Sequence, residues 1–118
     1  MDFQNKVHNW LESCFGKNIA NDKIERNHRF LEESLELVQA CECTAKEAHN
    51  LVDYVYGRPI GERKQEVGGV MLTLAGLCSA QGIDMVKEGD TELDIVWTKI
   101  DRIREKQKAK PKNSSLPI

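Results

Sequence analysis

Apolar residues in this chain recur at helical spacing, and nowhere do they alternate cleanly enough to read as a strand. Phe3, Val7, Trp10, Leu11 and Cys14 fall along one helical face and Gly16 follows them, which predicts a short amphipathic helix over 3–15. Asn21 or Asp22 offers an N-cap for a second helix to about Glu42, with Ile24, Leu31, Leu35 and Val38 on one stripe. Thr44-Ala45-Lys46-Glu47 is a capping-box sequence and opens a third helix. That helix ends near Tyr56, because Gly57-Arg58-Pro59-Ile60-Gly61 does not continue a helix comfortably. A fourth is predicted from Glu62 to Gln81, stopping at Gly82. Its stretch from Val70 to Leu77 is apolar on several sides, as in a helix central to a bundle. Asp90 or Thr91 caps a fifth, carrying Leu93, Val96, Trp97, Ile100 and Ile103.

The expected fold is therefore all-α, a compact bundle of about five helices in a single domain over 1–108. Residues 109–118 hold two prolines, two serines and two lysines and are expected to form a flexible C-terminal tail. Short helices and few aromatics leave apolar surface for a second subunit to complete, so a homodimer or homotetramer is expected. A chain of 118 residues buries only a modest core of its own.

Net charge is −2, which gives no global attraction to a nucleic acid polymer or an anionic membrane. No apolar run approaches bilayer length, and Met1 to Lys6 lacks the basic-then-apolar order of an export signal. A cytoplasmic location is expected. Cys14, Cys41, Cys43 and Cys78 then read as reduced, mostly buried thiols. Cys41 and Cys43 lie about 200° apart on a helix and do not converge on a zinc ion.

The segment Arg26 to Leu37 is the richest in chemistry. At helical pitch Glu33 and Glu36 lie about 60° apart and Glu32 about 40° beyond Glu36, with Arg26 and Arg29 on the same arc. Clustered carboxylates repel one another unless a cation holds them. Hard divalent ions take oxygen ligands and keep positions open for phosphate oxygens. Read alone, the segment is more readily a solvated acidic face with Arg29 and Glu33 paired at i, i+4. On the fourth helix, Glu62 and Glu66 share a face that continues as Gly69 and Thr73, small or polar in an otherwise apolar helix. Packed against the first strip, Glu66 would complete a carboxylate cage between two helices.

Glu32-Glu33-Ser34-Leu35-Glu36 followed by Glu66-Val67-Gly68-Gly69 resembles the paired acidic signature of the MazG-like nucleoside triphosphate pyrophosphohydrolases. Arg29-Phe30 before the first motif and Leu37-Val38-Gln39-Ala40 after it agree, and the resemblance spans roughly residues 22–105. It implies an oligomeric helical enzyme that binds a nucleoside triphosphate through magnesium, or manganese in its place. Such an enzyme cleaves between the α and β phosphates and releases a nucleoside monophosphate and pyrophosphate. It further implies Glu33, Glu36 and Glu66 as metal ligands. One position departs: the final aspartate of the signature falls on Gly69, which has no side chain. Water or Glu62 could take that coordination position, or catalysis could be impaired.

The remaining roles follow from charge. Glu32 could orient or deprotonate the attacking water. A triphosphate needs cations beyond the metal, and Arg29, Lys99 and Arg102 are the candidates. Lys99 and Arg102 open a basic stretch that also suits a helix C-terminus. Tyr54, Tyr56 and Arg58 flank the Gly57–Gly61 loop and suit either a base stack or an ordinary helix–loop corner. His8, His28 and His49 show no ligand spacing. Two rivals stand beside the hydrolase: a catalytically impaired nucleotide-binding bundle marked by Gly69, and a helical interaction module with a merely solvated acidic strip.

Overall fold

Six helices, joined by short turns, make up the computed structural model, which describes residues 2–109; no strand occurs among them. The nine residues beyond Ala109, where the sequence predicts a tail, lie outside the described residues. The first helix, α1, runs Phe3–Ala20 and is capped by Asp2, whose carboxylate accepts the Asn5 N–H at 2.9 Å. Gly16, at φ 81, breaks the helical path where a stop was predicted, but the chain coils again to Ala20. Only glycine takes that conformation without strain. Asp22 caps α2 (Lys23–Ala40) by accepting from the N–H groups of Ile24 and Glu25.

The end of α2 is a Schellman turn. Cys43 N–H donates to the Val38 carbonyl and Glu42 N–H to that of Gln39, with Glu42 itself left-handed at φ 73. This turn ends the helix at Ala40, ahead of the predicted Glu42. The capping box forms as read: Glu47 N–H donates to Thr44 Oγ1 and Thr44 N–H to Glu47 Oε1, opening α3 (Ala45–Tyr56). Glu62 caps α4 (Arg63–Gln81), and Gly82 at φ 68 ends it, with Ile83 N–H donating to the Cys78 carbonyl.

The last helical stretch differs from expectation. It is two helices, α5 (Met85–Trp97) and α6 (Ile100–Ala109), so the described residues form six helices where about five were expected. Asp84, a residue type favoured at N-caps, stands immediately before α5, and Asp90 and Thr91 fall inside it. The break has a local cause. Thr98 Oγ1 donates to the Ile95 carbonyl at 2.6 Å, and Thr98 N–H donates to the same oxygen. A threonine hydroxyl competing for a helix carbonyl loosens the ladder at that point.

The chain divides into two units, Met1–Phe30 with Val86–Ile118, and Leu31–Met85. In the first unit α6 packs on α1. Arg104 of α6 donates through Nε to the Cys14 carbonyl at 2.7 Å and through its terminal nitrogen to the Ser13 carbonyl. Both carbonyls lie within three residues of the Gly16 break. The Trp10 and Phe15 rings meet edge to face at 5.8 Å, and Arg26 lies over the Phe15 ring. Gly89 allows the Phe3 ring onto α5, since a Cβ there would sit 3.1 Å from its tip. Cys14 and Ala20 are the buried residues of this unit, and Cys78 of the other. Cys41 and Cys43 are half-buried, and all four thiols are free. Burial raises the Cys14 pKa, with Arg104 and Arg26 pulling the other way.

Candidate metal and phosphate site

The acidic residues singled out in the sequence all belong to the unit Leu31–Met85. Glu32, Glu33 and Glu36 sit in the middle of α2, where Glu33 and Glu36 are solvent-exposed and Glu32 is half-buried. Glu33 and Glu36 are three residues apart and hence neighbours on the helix surface. Glu66 lies in the first turn of α4 and is exposed. Its side chain folds back over the preceding loop, so that a Cβ on Gly61 would stand 3.1 Å from the Glu66 carboxyl carbon. Gly61 is thus a bed for this carboxylate, a role its place in the loop did not reveal.

Glu62 is occupied otherwise. Its Oε2 accepts the Gln65 N–H at 3.1 Å and caps α4. Among the described residues, nothing beyond its chain neighbours and its own helix backbone stands within 4 Å of where a Cβ on Gly69 would be. The donor chemistry of Glu33, Glu36 and Glu66 suits a hard divalent cation. Among the described residues, however, no three of Asp, Glu, His and Cys gather closely enough to hold an ion.

The basic candidates lie in the other unit. Arg29 is on α2, its Nε 3.3 Å from Glu25 Oε1, and Arg26 reaches the same carboxylate at 3.8 Å. Glu25 was not singled out, although its spacing of four residues before Arg29 is that of a helical ion pair. Lys99 lies in the turn between α5 and α6, and Arg102 in the first turn of α6; both are exposed. Of the loop residues weighed for base stacking, Arg58 lies over the Tyr54 ring at 4.9 Å and Tyr56 is 84% exposed. A cleft of about 240 Å³ beside α1 and α6 is lined by Cys14, Phe15, Ile19, Arg104, Gln107 and Lys108, none of them a candidate site residue. It is smaller than the roughly 300 Å³ at which ligand pockets begin.

No family model matches the chain, and no characterised protein or solved structure matches it significantly.

Proposed function

We propose that this chain is a magnesium-dependent nucleotide pyrophosphohydrolase, acting on a nucleoside triphosphate to give the monophosphate and pyrophosphate. The observation that carries the reading is the exposed pair Glu33 and Glu36 on α2, set in one unit with Glu66 on the first turn of α4. Their pattern, Glu-Glu-x-x-Glu then Glu-x-x-Gly, is the one the sequence resemblance rests on. Glu33, Glu36 and Glu66 are the residues the resemblance assigns to the cation; they would have to draw closer than they stand among the described residues to hold it, and the ion, when bound, would neutralise phosphate oxygens and stabilise charge in the transition state. Manganese, with the same preference for oxygen donors, would serve in its place.

Glu32 would take a different task. It shares the helix with the ligand pair but is half-buried, which favours a positioned carboxylate that orients a water and takes its proton. Water adds at phosphorus, the bond between the α and β phosphates breaks, and pyrophosphate leaves with the electron pair.

A pyrophosphate-release screen across the nucleoside triphosphates, with and without magnesium, tests the reading. Release that requires magnesium is expected with at least one nucleotide. A second reading, a nucleotide-binding bundle without turnover, is favoured by Gly69, where the signature's last acid is missing. Its signature would be thermal stabilisation by nucleotide with no pyrophosphate formed.

A further inference from the structure

Helix α6 has little of its own to hold it together. It is 10 residues long, and isolated helices shorter than about 12–15 residues are marginal in water. None of its residues is buried; Ile100, Ile103 and Gln107 are half-buried and the others are exposed. Nor does α5 extend a continuous hydrogen-bond ladder into it. The N–H groups of Thr98 and Lys99 donate to the carbonyls of Ile95 and Val96, three residues back, and the four-residue pattern resumes where Ile103 N–H donates to the Lys99 carbonyl. The helical state of α6 therefore depends on the surface it lies on.

That surface is α1, and the dock is light. Arg104, itself exposed, donates through Nε to the Cys14 carbonyl at 2.7 Å and through its terminal nitrogen to the Ser13 carbonyl, reaching ninety positions back along the chain. Beside these bonds the two helices are not close-packed. A cleft of about 240 Å³ separates Cys14, Phe15 and Ile19 of α1 from Arg104, Gln107 and Lys108 of α6. Under this cover Cys14 is only 2% exposed. Elements with few buried apolar contacts and solvent-exposed hydrogen bonds open well before the rest of a structure unfolds. We propose that α6 is a strap over Cys14 that opens as one unit about the Thr98–Lys99 turn, with Arg104 as its clasp. The turn is the pivot because the helical ladder is already interrupted there. The strap opens whole because a helix this short, once off its dock, does not keep its coil. Opening bares the Cys14 thiol together with Phe15 and Ile19, so this face of α1 alternates between a covered and an uncovered state. The strap does not depend on the hydrolase reading.

Thiol labelling and amide exchange on the intact chain test the strap together. The protein is pulsed with N-ethylmaleimide, peptide mapping by mass spectrometry separates Cys14 from the other three thiols, and hydrogen exchange is followed by NMR. Cys14 labelling and exchange of the amides from Ile103 to Ala109 should report one opening constant. That constant should be nearly independent of urea well below the unfolding midpoint, because a short strap exposes little surface. The amides from Val7 to Leu11 of α1 should exchange more slowly. Arg104→Ala should raise both Cys14 labelling and α6 exchange about tenfold, and Arg104→Lys, which keeps the charge without the fork, nearly as much. Cys14 labelling with the steep urea dependence of global unfolding would overturn the proposal. So would different opening constants for Cys14 and α6, or rates that Arg104→Ala leaves unchanged.

Discussion

Thr44 and Glu47 hold one another's backbone at the start of α3, and donation from the Thr44 backbone N–H, with the Thr44 side chain second, keeps the Glu47 carboxyl below the ordinary glutamate pKa. A carboxyl with a lowered pKa stabilises the fold above its unfolded value and loses that contribution as pH falls through the folded one. Thermal melts should therefore show wild type and Glu47→Gln differing at pH 7 and converging at acid pH. Thr44→Ala should cost about 1 kcal/mol at neutral pH by the same assay. Arg104 makes the other specific local contribution. Arg104→Ala frees the Ser13 and Cys14 carbonyls at the Gly16 break and should cost about 1–2 kcal/mol in denaturant unfolding; Arg104→Lys, lacking the fork, should recover little. The first of these features was legible in the sequence, because a capping box is local. The second joins residues ninety positions apart, and nothing in the pattern around Arg104 announced it.

At the scale of elements, several helix starts and stops were readable from a single residue: Asp22 before α2, Thr44 before α3, Gly82 after α4; the start of α5 after Asp84, expected at Asp90 or Thr91, was not. The turn at Thr98–Lys99 was not, since the apolar spacing of Val96, Ile100 and Ile103 runs straight through it and only a side-chain hydrogen bond marks the break. The candidate site divides in the same way. That Glu33 and Glu36 are exposed neighbours on α2 follows from helical pitch. Where Glu66 directs its carboxylate does not, because it depends on the loop through Gly61. Glu36→Gln preserves volume and removes one ligand charge on an exposed face. It should lower pyrophosphate release about 100-fold or more, while stability in urea changes by less than about 0.5 kcal/mol. Normal turnover in that variant would remove Glu36 from the site.

Taken as a whole, the chain hides little of its apolar surface. Only Cys14, Ala20 and Cys78 are buried among the described residues, while Leu31, Leu35, Leu51, Val55, Met71 and Leu72 are exposed. Burial of apolar surface is the main favourable term in folding, and a homo-oligomer, if formed as proposed, would add to it. The melting temperature should rise with protein concentration between about 1 and 100 μM, by mass action on a folded oligomer; a flat dependence in differential scanning calorimetry would contradict this. The products of the reaction decide whether the chain is a pyrophosphohydrolase. Phosphorus NMR of a nucleoside triphosphate incubated with the protein and magnesium should show monophosphate and pyrophosphate growing in equal amounts, with neither formed when Glu36→Gln replaces the wild type. Diphosphate with orthophosphate, or an unchanged triphosphate across every base tested, would contradict the account.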